Sequence, residues 1–131
     1  MFRTLLTVLV LTVLSTPVLG EWKEVSESVD GTTFYVDFER IRKHDGYVYY
    51  WTLDDLLKPK KGGILSLKTY HQGDCKLFRY SYLSIATSKE PMGEGIPSVH
   101  NYPNIDWNYP SPNSSGELNL KIVCAYAKHK L

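Results

Sequence analysis

The chain has 131 residues, 43% of them hydrophobic, with 15 basic and 14 acidic side chains and a formal net charge of +1. This length suits one domain built around one core. The balanced charge argues against a nucleic-acid or polyanion ligand, because such binding depends on an excess of Lys and Arg that releases counterions. Ten tyrosines are the compositional oddity, and tyrosine is common in strands and at interfaces.

Residues 1–20 carry the pattern of a cleavable signal peptide. Arg3 supplies a positive charge, Leu5–Leu14 is an apolar core, and Val18-Leu19-Gly20 precedes the expected cleavage site. The apolar stretch is shorter than the roughly 20 residues that a bilayer span needs. We therefore predict a signal peptide over 1–20 and a single exported domain over 21–131, beginning at Glu21. An uncleaved N-terminal anchor is the alternative.

Three strand-like segments occupy the first half of the predicted domain. They are Trp22–Ser28, Thr32–Phe38 and Tyr47–Leu57. Asp30-Gly31, between the first two, is a strong β-hairpin signal. Asp37 is a suitable cap for one helical turn, which we predict over Phe38–Lys43. The third segment is largely apolar on both faces, which predicts a central strand.

A second hairpin is predicted from two alternating runs, Ile64–Tyr70 and Cys75–Ser84, with the polar turn His71-Gln72-Gly73-Asp74 between them. Alternation along the second run places Cys75, Leu77, Leu83 and Ile85 on one face and Phe78, Tyr80 and Tyr82 on the other. A turn histidine such as His71 is expected to be solvated.

The C-terminal third reads as a long loop followed by a helix. Pro91, Pro97 and Pro103, with Pro110 directly after, break any regular element over Thr87–Tyr109, whose aromatic residues suggest that it packs on the domain. The spacing i, i+3, i+4, i+7 predicts a helix over Ser115–Ala127. Ser114 is its expected cap, and Glu117 lies at the capping-box position.

Two cysteines in an exported domain predict one disulfide, Cys75–Cys124; two unrelated buried thiols are the alternative. The predicted fold class is α+β. It consists of an antiparallel sheet of about five or six strands with a C-terminal α-helix packed on one face and tied to it by the disulfide.

Sequence motifs for catalysis or metal binding are absent. The histidines lack zinc-ligand spacing, and the chain has no P-loop and no nucleophile elbow. Asp54 and Asp55 are adjacent strand residues that point to opposite faces, so they cannot act as a carboxylate pair. We expect a non-enzymatic protein without a cofactor or metal.

The predicted second sheet face is a candidate partner-binding surface. If Cys75 points toward the helix, Phe78, Tyr80 and Tyr82 face the other way, where no other element obviously covers them. A tyrosine-rich apolar face suits a protein contact, with a second copy of the chain or with an envelope or host protein. The alternative is that the loop Thr87–Tyr109 folds over this face, with Tyr102 and Trp107 as core.

The order of several short motifs resembles the surface-adhesin protein E-like domain family of small exported bacterial proteins. The motifs are Trp22, Gly31, Tyr35-Val36-Asp37, Arg40-Ile41, Trp51, Leu53, Asp55, Asp74-Cys75, Met92-Gly93-x-Gly95, Trp107 before Pro110-Ser111, and Cys124. The resemblance implies an antiparallel sheet with a disulfide-held helix, and an envelope or surface role with protein partners.

These patterns predict an exported, adhesin-like protein-binding module in the periplasm, at the cell surface or outside the cell. No nucleic-acid partner and no stable membrane insertion after signal cleavage are expected. The alternative is a periplasmic small-ligand-binding or chaperone-like protein, with a pocket between the sheet and the loop Thr87–Tyr109.

Overall fold

The computed structural model describes residues 21–131, so the predicted signal peptide lies outside the described residues. Within that range the chain forms one sheet and one α-helix, and no helix there is both long and apolar enough to cross a bilayer. The elements are β1 (Trp22–Glu27), β2 (Thr33–Asp37), β3 (Arg42–His44), β4 (Tyr47–Lys60), β5 (Ile64–Asp74), β6 (Arg79–Ser88), β7 (Ser98–Asn101) and α1 (Ser115–Lys130).

The sheet is antiparallel throughout, in the order β1-β2-β4-β5-β6-β7, with β3 also paired to β4. The predicted α+β class, with a C-terminal helix on one face, is confirmed. The short strands β3 and β7 bring the described sheet to seven strands, and β7 lies inside the segment predicted to be a loop. The strand that is apolar on both faces, β4, is central as expected, because it pairs with both β2 and β5.

The turn of the second hairpin lies four residues later than predicted. His71 to Asp74 continue β5, with His71 opposite Tyr50 of β4 and Gly73 opposite Val48. The chain then turns over residues 75–78. The carboxylate of Asp74 organises this turn, accepting hydrogen bonds from the backbone N–H groups of residues 76 and 77 and from Nε of residue 79. The polar run 71–74 was misleading because its residues are polar but buried.

The predicted facing of the second strand is correct for Ile85, which lines the cavity beside α1, but wrong for the residues near the turn. We call the side of the sheet that contacts α1 the helix face and the opposite side the outer face. Tyr80 pairs with Gly73 and Tyr82 with His71, which places both tyrosines on the helix face. Phe78 and Tyr80 pack against the core that the sheet forms with α1. The prediction that Phe78, Tyr80 and Tyr82 face away from the helix is therefore wrong, because strand alternation does not extend through the turn from Cys75 to Phe78, where Phe78 has a φ of 52°.

The core lies between the helix face and α1. Its buried residues are Val36, Ile41, Val48, Tyr50, Leu120, Val123 and Ala127. Gly73 makes this packing possible. A Cβ atom there would lie 2.8 Å from Val48 Cγ2 and 3.0 Å from both Leu120 Cδ1 and Tyr50 Cε1. Because real Cβ contacts are longer, a side chain at this position would displace the centre of the core.

The loop Thr87–Tyr109 covers both ends of the outer face. Near one end, the backbone N–H of Met92 donates to Asp55 Oδ1 over 2.8 Å, and that of Gly93 donates to Ser66 Oγ over 2.8 Å. At the other end, the Trp107 ring lies 4.2 Å from the guanidinium of Arg79. The alternative in which this loop packs on the second face is thus correct for Trp107, whereas Tyr102 is 38% exposed.

The predicted disulfide is confirmed, with Cys75 and Cys124 joined at an S–S distance of 2.10 Å. It connects α1 to the exposed turn between β5 and β6 rather than to a strand interior. The helix is thereby held to the sheet at a point where main-chain pairing is interrupted.

Candidate functional site

A cavity of about 180 Å³ lies between the helix face and the first turns of α1. The side chains relevant to its chemistry are Tyr50, Asp54, His71, Tyr80, Tyr82 and Asn119. Strand pairing brings the first five together: His71 is opposite Tyr50 on one side and Tyr82 on the other. The helix closes the cavity with Ser115, Gly116 and Asn119.

The helix start is fixed by its cap. Ser114 Oγ accepts a hydrogen bond from the backbone N–H of Glu117 over 3.1 Å, and Glu117 Oε1 accepts one from the N–H of Asn113 over 3.3 Å. The predicted Ser114 cap is confirmed. Because the helix begins here, Gly116 is placed against Tyr80, whose hydroxyl lies 3.0 Å from the position that a Cβ of Gly116 would occupy.

Four aromatic rings form one wall of the cavity. The ring of His71 stacks on Tyr50 at 4.7 Å between centroids and lies 5.7 Å from Tyr80 and 5.4 Å from Tyr82. Tyr80 and Tyr82 meet edge to face at 5.5 Å. The four rings thus pack against one another along one side of the cavity.

Two buried polar atoms of the cavity, His71 Nδ1 and Asn119 Oδ1, have no hydrogen-bond partner within residues 21–131. Both residues are only 7% exposed. An unpaired buried polar atom costs about 1–3 kcal/mol, and native proteins retain few such atoms. The pattern therefore singles out this cavity as a candidate ligand site.

Burial also perturbs the ionisable groups of the cavity. It lowers the pKa of the His71 imidazole to about 3, so that His71 is neutral at physiological pH. It raises the pKa of the Asp54 carboxyl to about 6, against a smaller lowering by Lys60. The same desolvation raises the pKa of the Tyr82 hydroxyl. Perturbed groups converging in one cavity are typical of functional sites.

A second candidate site is an exposed apolar segment between residues 96 and 109. It contains five of the nine large apolar side chains that are exposed among the described residues. These are Ile96, Val99, Tyr102, Ile105 and Tyr109. We call this set the exposed segment. Strand β7 runs through it at one end of the sheet order, paired only to β6.

The structure places several of the residues selected from the sequence in other environments than predicted. Tyr80 and Tyr82 line the cavity, whereas Phe78 packs against the core. His71, expected to be solvated, is buried and belongs to the cavity. Asp54 and Asp55 do lie on opposite faces, Asp54 in the cavity and Asp55 bound to the loop on the outer face. A cavity of about 190 Å³ does lie between the sheet and the loop Thr87–Tyr109, with Ile64, Ser88 and Ile96 in its lining, but the cavity that contains the unpaired polar atoms lies between the sheet and α1.

Asn119 was not among the residues selected from the sequence. Its position on the apolar side of the predicted helix could have indicated a buried amide. Position 119 precedes the buried Leu120, and position 123 lies four residues later on the same side. An amide at such a position is buried with the apolar residues and requires a partner.

The comparisons identify the family and the fold. The family described as surface-adhesin protein E matches residues 22–125. A crystal form II structure of Haemophilus influenzae protein E is similar with a TM-score of 0.62 at 17% identity, covering 84% of this chain and 91% of the other. A structure of protein E from non-typeable Haemophilus influenzae gives 0.60 at 17% identity, covering 87% and 82%. No curated protein shows significant sequence similarity to the chain.

Proposed function

Because the chain belongs to the surface-adhesin protein E family, we propose that it is an exported envelope protein with a non-enzymatic, adhesin-like role in which it binds a protein partner. The exposed segment is the observation that carries the proposal. Several large apolar side chains exposed within one short segment suit a protein contact. Ile96 is 98% exposed and Val99 57% exposed, so neither contributes to the core.

The position of the exposed segment indicates how the partner binds. A strand at the end of a sheet presents unpaired N–H and C=O groups to an incoming strand. In β-augmentation, these groups give affinity while alternate side chains give specificity. Val99 lies in β7, and Tyr102 and Ile105 follow it directly. We therefore propose that an extended segment of the partner adds to β7 and contacts these apolar side chains.

Substitution of Val99 by Lys tests the binding mode. A charge on the end strand opposes strand addition, and Val99 is exposed, so we expect loss of partner capture with a melting temperature within about 2 °C of the parent protein. Capture is measured with a photo-crosslinking amino acid at position 105, in cells that export the protein. We expect a discrete adduct that is absent when Val99→Lys is combined with it.

Leu57 provides the matched control, because it is 70% exposed and lies outside the exposed segment. A crosslinker at position 57 should give no adduct, and Leu57→Lys should leave the adduct at position 105 intact. Equal adducts from positions 57 and 105, or an adduct that survives Val99→Lys, would contradict the proposal.

Export is part of the same proposal, with cleavage after Gly20. The positive charge at Arg3 and the apolar stretch Leu5–Leu14 support it. N-terminal sequencing of the protein recovered from the envelope or medium should begin at or near Glu21. Recovery of a chain that begins at Met1 would instead support the uncleaved anchor.

A second candidate function, small-ligand binding, is favoured by one specific observation. The cavity between the sheet and α1 contains two buried polar atoms without partners, His71 Nδ1 and Asn119 Oδ1. The cavity and the exposed segment are adjacent, since the ring of Tyr102 lies 6.2 Å from that of Tyr82, so separate measurements are used for the two functions.

A further inference from the structure

Two polar groups of the cavity call for hydrogen-bond donors from a ligand, whereas its Tyr, Thr and Ser hydroxyls can either donate or accept. Asn119 Oδ1 is an acceptor without a partner, and the ionised carboxylate of Asp54 can only accept. Neither Lys nor Arg lines the cavity among the described residues. A ligand that hydrogen-bonds to Asn119 Oδ1 and to the Asp54 carboxylate must therefore supply donors, and positive charge on those donors would offset the carboxylate.

The aromatic wall favours the same kind of ligand. The faces of tyrosine rings carry negative electrostatic potential and attract a cation placed within about 6 Å of the ring centre. Tyr50, Tyr80 and Tyr82 all line the cavity, and the imidazole of His71, stacked on Tyr50, is neutral. The rings and the carboxylate thus both favour a cation, and the charge of Lys60, which lies outside the lining, has only a smaller opposing effect at Asp54.

The cavity size limits the ligand. A volume of about 180 Å³ corresponds to about six water molecules at their share of the liquid. This space accommodates a short aliphatic chain with one charged end, and the apolar side chains of Leu67 and Ile85 also line the cavity.

We propose that this cavity binds a small primary ammonium compound, whose N–H groups donate to Asp54 and Asn119 and whose charge lies against the tyrosine rings. The short alkyl portion then contacts Leu67 and Ile85. The inference deepens the second candidate function and names its ligand class, and it does not depend on partner binding at β7.

A titration of the ¹⁵N-labelled exported protein with n-butylammonium chloride tests the proposal. The backbone amide signals of Gly116 and Asn119 should shift saturably, because both residues line the cavity. n-Butanol has the same chain without the charge and should bind at least about tenfold more weakly, a difference of 1.4 kcal/mol. Potassium chloride at equal ionic strength should give no saturable shift.

Two variants test separately whether binding needs the charge of Asp54 and whether it needs the open space of the cavity. Asp54→Asn should weaken butylammonium binding by at least about tenfold, whereas Asp55→Asn, which removes the same charge one residue away on the outer face, should leave it unchanged. Gly116→Leu should block the cavity without changing any charge, because a side chain at position 116 points at the Tyr80 hydroxyl.

The proposal is overturned if butylammonium gives no saturable shift or if n-butanol binds equally well. It is also overturned if Asp54→Asn retains parent affinity while its spectrum remains that of a folded protein. The crosslink at position 105 reports separately on the protein-binding function, so failure of one proposal leaves the other measurable.

Discussion

Replacement of both Cys75 and Cys124 by Ser should lower the free energy of unfolding by about 2–5 kcal/mol, the usual range for a native disulfide in a small exported domain. The two residues are 49 positions apart. Closing a loop of that length restricts the unfolded chain by roughly 4 kcal/mol in the chain-entropy treatment. Since whole domains of this size are stable by only about 5–15 kcal/mol, this is the largest single effect that we expect.

The measurement is urea denaturation of the parent and the double variant at pH 7.5, followed by far-UV circular dichroism. Single variants would leave an unpaired thiol, so the double variant is the appropriate comparison, and reduced parent protein provides a matched control with native side chains. A decrease below about 1 kcal/mol would mean that the packing of α1 on the core holds the helix without the covalent bond.

Acidification should destabilise the protein through His71. Its pKa is about 3 in the folded state because of burial, against about 6.5 in an unfolded chain. The unfolded state therefore binds more protons between these values, so the contribution of His71 to stability is fully present above pH 6.5 and is lost as the pH falls toward 3. At pH 5, the loss amounts to about 2 kcal/mol, at 1.4 kcal/mol for each pH unit below 6.5.

Titration of Asp54 has the opposite effect on the pH dependence of stability. Its folded pKa of about 6 exceeds the unfolded value of about 3.9. The folded state therefore binds more protons between those values, and stability rises as the pH falls through this window. At pH 5, this gain is at most about 1.4 kcal/mol, so the parent protein should still lose stability between pH 7.5 and pH 5.

His71→Phe should reverse the sign of that pH dependence. Phenylalanine keeps a ring against Tyr50 but cannot bind a proton, so only the contribution of Asp54 remains, and the variant should be more stable at pH 5 than at pH 7.5. Asp54→Asn should do the opposite and steepen the acid loss. The measurement is chemical denaturation at the two pH values.

His100 supplies the matched control, because it is an exposed histidine on β7. His100→Phe should keep the pH dependence of the parent protein. If His71→Phe and His100→Phe behave alike, buried His71 does not control the acid response.

Local patterns predicted several elements correctly. Asp30-Gly31 joins β1 to β2, Ser114 caps α1, and the apolar character of Tyr47–Leu57 indicated a central strand. Each of these depends on residues that are neighbours along the chain. The two cysteines of an exported domain likewise left one pairing, which the structure contains.

The facing of β6 could not be predicted, because side-chain direction in a strand reverses with every residue. Treating Cys75 as the first strand residue assigns Tyr80 and Tyr82 to the wrong face, because Cys75 to Phe78 form a turn in which alternation does not hold. The register also shifts between Tyr70 and His71, and such a bulge changes the alternation that sequence analysis assumes.

By itself, the sequence determined the export signal pattern, the fold class, the disulfide and the family resemblance, because each depends on short-range pattern or on composition. Only the tertiary structure decided where the candidate sites lie. The cavity unites Asp54, His71, Tyr82 and Asn119, which are distant in the chain and meet through strand pairing and helix docking. Their desolvation, which shifts the pKa values of Asp54 and His71, exists only once those elements have packed together.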